Sequence, residues 1–332
     1  TVILGLMDNT RCFAASAFSI PMVSWVARIC RLMLVMLTAT ACSSSDEVKE
    51  PASVNGDSSV VSNDEPADNN SEENEEESTE PDTAVEITIE ETVLYDANDI
   101  KVTATGYEDG WMGPEIKVLV ENNSDKNVLI TTNSVSINGY MMPYVSLYSE
   151  VAAGKKANEA ISIMSSELDQ SGIEVVAEMQ FYIEVTDSES WDTLATSELL
   201  TLSTSVAPYE QPADDSGDIL YDSNGIRIIC KGLKQDIFWD GTVVFYMENN
   251  SDKAISIYAE NVSVNGFMQD VGLWSDLRPD TKLIDGMSML DLSDLEIESI
   301  EEIENIEFNL RVVDEETWDD IATTDVLTLN FE

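Results

Sequence analysis

Residues 115–126 read EIKVLVENNSDK, and residues 242–253 read TVVFYMENNSDK. In the first stretch Ile116, Val118 and Val120 alternate with Glu115 and Lys117; in the second Val243, Phe245 and Met247 hold the same places. Successive side chains of an extended chain point to opposite faces, so this is the pattern of a strand with one buried face. Both strands run into Glu-Asn-Asn-Ser-Asp-Lys, rich in the residues that make turns. A strand and its turn therefore occur twice, 127 positions apart.

The duplication extends in both directions. Val135-Ser136-Ile137-Asn138-Gly139-Tyr140-Met141 returns as Val262-Ser263-Val264-Asn265-Gly266-Phe267-Met268. Trp191-Asp192 returns as Trp318-Asp319, and Leu200-Thr201-Leu202 as Leu327-Thr328-Leu329. Residues 121–202 and 248–329 share 28 of 82 positions. Each copy spans about 110 residues, which is a whole domain rather than one unit of a solenoid. Alternation also marks 179–185 and 306–312 as strands. Others are expected at 100–107, 127–131, 134–138, 158–164, 197–203 and 324–331. One short helix fits Ser166–Ser171, capped by Ser165 or Ser166, with a counterpart starting near Ser293. About seven strands per copy, broken by Asn, Asp and Gly turns, predict an antiparallel sandwich.

The strand ending in ENNSDK, the VSINGYM segment and the late Trp-Asp resemble the tandem immunoglobulin-like modules of Firmicutes surface lipoproteins, most of unknown function. That resemblance implies an extracytoplasmic β-sandwich and little more, since the family has no established catalytic residues to carry over. The expected fold class is all-β: two tandem immunoglobulin-like antiparallel β-sandwich domains after a signal peptide and a disordered acidic linker. The expected boundaries are a leader at 1–42, a tether at 43–90, a first sandwich at 91–204, a linker at 205–216 and a second sandwich at 217–332.

The leader and tether are read from charge. The chain of 332 residues has 16 Lys+Arg, 65 Asp+Glu and no His, a formal net charge of −49. Residues 1–42 are nonetheless basic, with Arg11, Arg28 and Arg31 against Asp8. Arg28 and Arg31 precede the apolar run 32–41, then Ala39-Thr40-Ala41 and Cys42, the order of a secretory signal. The segment resembles a bacterial lipobox, departing from it at Ala39, where Leu is usual. The resemblance implies diacylglycerol on Cys42. The apolar run is far shorter than the ~20 residues that cross a bilayer. Met22 is a natural start, which would put 1–21 upstream of the protein proper. Residues 43–91 hold one Lys against 17 acids, a composition that stays unfolded and stretches.

These counts exclude His-dependent catalysis and His-ligated metals. The net charge argues against binding DNA, RNA or anionic lipid through the protein surface. The expectation is a non-enzymatic, lipid-anchored surface protein without a cofactor, binding an envelope protein or glycan or acting as a spacer. The alternative is a calcium-dependent carbohydrate-binding protein, with Asn122, Asp125, Asn249 and Asp252 as oxygen ligands. Against it, ENNSDK reads as a hairpin turn. Asp187-x-x-x-Trp191-Asp192 and Asp314-x-x-x-Trp318-Asp319 could pair carboxylates for acid–base work. The plainer reading has each Trp covering one end of the core and each Asp capping a turn. Asn138-Gly139 and Asn265-Gly266 suit type I′ turns, with Tyr140 and Phe267 beside them in the core. Trp111 and Trp239 are loop residues suited to packing or to sugar or protein contact. Cys230 reads as a small buried hydrophobe.

Overall fold

The computed structural model describes residues 86–235, 241–289, 295, 297 and 299–331. The leader with Cys42, most of the tether, Trp239 and the helix start near Ser293 lie outside the described residues.

In chain order the first repeat holds β1 (Thr92–Ala97), β2 (Ile100–Asp109), β3 (Pro114–Asn122), β4 (Val128–Ile137), β5 (Tyr140–Met141), β6 (Tyr148–Val151) and β7 (Lys155–Ser162). A short helix α1 (Ser165–Gln170) precedes β8 (Glu178–Asp187), β9 (Thr193–Thr196) and β10 (Leu200–Ser203). The second repeat matches it strand for strand. It comprises β11 (Asp218–Ser223), β12 (Ile226–Lys234), β13 (Gly241–Asn249), β14 (Ile255–Val264), β15 (Phe267–Met268) and β16 (Trp274–Leu277). Then come β17 (Thr281–Met289), β18 (Asn305–Asp314), β19 (Asp320–Thr323) and β20 (Leu327–Asn330).

Each repeat is an antiparallel β-sandwich. One layer of the first is β1-β2-β3-β7, and the other is built on the pair β4–β8 with β5, β6, β9 and β10 on its margins. The second repeats this as β11-β12-β13-β17 against β14–β18 with β15, β16, β19 and β20. Inward residues of the alternating strands fill each sandwich. Ile116, Val118 and Val120 face Ile130, Phe181 and Ile183 in the first. In the second, Phe245 and Phe308 meet edge to face at 6.0 Å. Each such buried side chain contributes about 1.5–3 kcal/mol of transfer free energy.

Several details depart from the sequence reading. The expected strands 127–131 and 134–138 are one strand, β4, kinked where the pairing shifts between Asn133 and Ser136 and Ser134 takes φ +48°. Among the described residues each repeat has ten strands where seven were expected: two of the seven merge in β4; β5, β6 and β9 are too short to show a period; and β1 breaks its period at the bulge between Val93 and Tyr95. The helix cap falls on Met164, with no side-chain cap bond, so neither Ser165 nor Ser166 serves. Residues 86–90, expected in the tether, lie against the first sandwich: Ser205 donates its N–H to the Thr88 carbonyl at 2.7 Å, and Ile89 packs on the core. The offset between repeats is not uniform. Val128 pairs with Val151 and Ile255 with Leu277, so β6 and β7 correspond to β16 and β17 at 126 rather than 127.

Candidate functional site

ENNSDK joins β3 to β4, which lie in different layers of the sandwich. It is therefore a corner between sheets and not the hairpin expected. Asn122 is fully buried at its centre. Its amide donates to the carbonyls of Lys126 and Val151, both at 2.8 Å, and its oxygen accepts the N–H and hydroxyl of Ser124. Asn249 repeats this with Lys253, Leu277, Arg278 and Ser251. The bonds are those of a turn, with the Asn122 oxygen already engaged. Among the described residues no group of three or more acidic or thiol side chains converges to hold a metal.

The two repeated motifs meet in space. The Lys126 ammonium reaches the Asp187 carboxylate at 2.8 Å, and Lys253 reaches Asp314 at 2.5 Å. Asp187 also accepts the N–H groups of Glu189 and Ser190. Lys126 first, and these two donors next, hold the Asp187 carboxyl down at about 2. Asp314 is lowered in the same way by Lys253, Thr317 and Glu316. The Asp thus caps its turn, as the plainer reading has it, and is not free to take up a proton near neutral pH.

The tryptophan reading is corrected. Trp191 is 67% exposed and Trp318 is 58% exposed, so neither covers a core. Both are forced outward by the turn. The Trp191 N–H donates to the Asp187 carbonyl at 2.8 Å with φ +63°, and Trp318 does the same to Asp314 with φ +62°. Left-handed backbone is uncommon outside Gly, Asn and Asp and strained for a bulky side chain. Each repeat therefore displays an indole on a turn pinned from beneath by a Lys–Asp pair. Trp111 stands out as well, 89% exposed over a shallow cleft lined by Asp109, Ser165, Leu168 and Glu174.

Asn138-Gly139 and Asn265-Gly266 form type I′ turns, with φ of +50° and +84°, and +49° and +82°. Each Asn oxygen also accepts two N–H groups of the segment entering β8 or β18. The residues that follow behave differently. Tyr140 is 1% exposed and Phe267 is 60% exposed, so the core expectation holds for Tyr140 and is corrected for Phe267. Cys230 is buried opposite Phe245, matching Ala104 opposite Val118, and burial pushes its thiol pKa up.

Tyr140 is buried because the second repeat covers it. Here β5 pairs in parallel with β17, Tyr140 opposite Lys282, and the Lys282 N–H donates to the Gly139 carbonyl at 2.9 Å. Lys282 Nζ sits 5.7 Å from the centre of the Tyr140 ring. The pairing fuses layers of both repeats into one path, β10-β8-β4-β5-β17-β13-β12-β11. Apolar groups cross it in both directions: Ile229 and Tyr246 join the first core, and Met141 joins the second. Arg278, buried, donates to the Ser136 hydroxyl at 2.6 Å. The linker is tied down too, since Gln211 donates to the Gly172 carbonyl at 2.8 Å and Lys231 to the Ser216 carbonyl at 2.7 Å. Sequence reasoning missed this seam, because nothing in Tyr140 or Phe267 alone says which one finds a partner.

No family model and no curated protein sequence matches the chain. Among solved structures it is similar to red sea bream transglutaminase at a TM-score of 0.19 and 9% identity, covering 71% of this chain and 31% of that one. It is also similar to the YadV chaperone at a TM-score of 0.21 and 8% identity, covering 70% of this chain and 100% of that one. The chain thus spans under a third of the transglutaminase, and likenesses this distant say nothing of function. The fold defines the class: a tandem antiparallel β-sandwich protein.

Proposed function

We propose that the protein is a non-enzymatic, lipid-anchored extracytoplasmic module that contacts an envelope protein or glycan at the cell surface. The observation that supports binding is the pair Trp191 and Trp318. Each repeat holds an indole in solvent, in a backbone conformation that costs energy, above a well-bonded turn. A strained residue kept in both copies suggests use rather than packing. Indole rings suit both candidate partners, since they offer a large apolar face with one polar edge. The leader ending at Cys42 supports the anchor, because two acyl chains on one residue hold a protein on a bilayer. Among the described residues no helix is long and apolar enough to cross a membrane.

Two measurements test this reading. Cys42→Ser should abolish incorporation of labelled fatty acid and removal of the leader; a variant that is still labelled or still processed to the mature size contradicts the anchor. The double variant Trp191→Ala, Trp318→Ala should keep its fold and lose binding to isolated cell-envelope material. Undiminished binding by that variant removes the indoles from the contact.

A further inference from the structure

The seam has two sides, and each side has a counterpart on the other repeat that the seam leaves free. The donor side is the type I′ turn with β5, that is Gly139, Tyr140 and Met141. Its counterpart is Gly266, Phe267 and Met268 in β15, where Phe267 is exposed and Met268 is 66% exposed. The receiving side is the edge of β17 at Lys282. By the strand register its counterpart is Lys156 in β7, since Asn122 pairs with Lys155 and Asn249 with Thr281. β7 is the edge strand of its sheet, and Lys155, Lys156 and Asn158 are exposed there.

We propose that the second repeat of one molecule docks on the first repeat of a second copy of this chain, reproducing the internal seam between molecules. The Gly266 carbonyl would accept the Lys156 N–H of the other copy, as the Gly139 carbonyl accepts that of Lys282. Phe267 would lie opposite Lys156, whose ammonium pairs with Glu121 in the single chain and would turn from it to cover the ring as Lys282 covers Tyr140. The backbone part of this contact needs no particular side chain, which is how an open sheet edge recruits a strand. A second copy is the occupant that fits, because the chain already carries both halves of the contact in a working arrangement. The two surfaces differ, so the contact is heterologous and adds copies end to end instead of closing a two-fold dimer.

The contact is weaker than the seam it copies. Ile229, Tyr246 and Ile284 on the receiving face become Thr103, Leu119 and Asn158, and Arg278 becomes Ala152. The internal seam also gains from its linker, which makes the pairing intramolecular.

Sedimentation velocity on the full chain, over about 1–300 μM, is the test. The wild type should show a sedimentation coefficient that rises with concentration. Phe267→Asp and Lys156→Glu, both at exposed positions, should each abolish the rise. An equimolar mixture of the two variants keeps one live surface of each kind, so it should form a one-to-one dimer and nothing larger. Met268→Asp replaces Phe267→Asp if the latter lowers the melting temperature. A wild type that stays monomeric throughout overturns the proposal and leaves β15 to a foreign partner. So does association that survives either variant, or a mixture that stays monomeric.

Discussion

Asn122 and Asn249 are the residues on which each sandwich turns from one layer to the other. Each satisfies carbonyls of the corner and of the strand or loop beyond it that would otherwise be buried without a donor. Losing a buried partner costs the desolvation of what it leaves behind, about 1–3 kcal/mol per group. Asn122→Ala and Asn249→Ala should therefore each lose about 2–4 kcal/mol in urea unfolding, while Asn123→Ala, at an exposed position, should move it by under ~0.5 kcal/mol. Beside them, Asp187 is held ionised in the folded state below its unfolded pKa. A depressed carboxyl contributes stability that is complete above the unfolded pKa and lost as pH falls through the folded one. The wild type should thus lose stability between about pH 4 and 2 with a steeper slope than Asp187→Asn, which has no carboxyl to protonate at that site. Trp191 supplies the third case. Left-handed backbone costs a bulky residue roughly 1–2 kcal/mol, and the exposed indole returns little packing. Trp191→Gly should leave stability within about 1 kcal/mol of wild type, and a loss of 3 or more would show that the indole is a packing residue after all.

At the scale of elements, the hairpin β4–β5 does two tasks, since its turn closes the strand pair and its tip carries the seam. Gly139 sits at φ +84° with open space where a Cβ would go, as Gly266 does at +82°. Gly139→Ala and Gly266→Ala should each cost about 1 kcal/mol from backbone conformation alone. Any cost beyond that should appear at Gly139 only, read by comparing the two variants in the same unfolding assay. Strands β3 and β8 and their copies β13 and β18 were legible because five or more alternating residues define a face, whereas β4 was divided in two because its kink between Asn133 and Ser136 breaks the alternation. β5 and β15 were not legible, since two residues have no period. The ENNSDK corner was read as a hairpin because both structures want the same turn residues. What separates them is which strands pair, and that is a long-range fact. The same limit hid the exposure of Trp191 and Trp318. An indole beside a capping Asp reads as packing until the backbone angle that turns it outward is known.

Over the whole of Glu80–Glu332, which forms one compact unit, acidity is the governing quantity. Residues 92–332 hold 12 basic against 47 acidic residues, so the folded part repels itself at neutral pH. The seam adds to this. The Glu167 side chain of α1 accepts the Tyr144 N–H with one oxygen and leaves the other buried without a partner. Burial first, and the charge of Asp285 on β17 second, raise its pKa. Asp285 is raised by its own burial and by Asp276, against the Ser275 hydroxyl and the Gly286 N–H, which lower it. A raised carboxyl favours the folded state while protonated, and that stability is lost as pH rises from the unfolded pKa through the folded one. This is opposite in sign to Asp187 and Asp314 at the corners. The two sets act in opposite directions: the corner aspartates favour the folded state once ionised, and Glu167 and Asp285 favour it while protonated. Glu167→Gln keeps the shape and removes the charge. It should raise the melting temperature at pH 7, and the gain should shrink steadily as wild type and variant are compared down to pH 4. A gain that is constant with pH would mean that charge at the seam is not what the variant relieved, and a loss at pH 7 would mean that the carboxylate has a partner there.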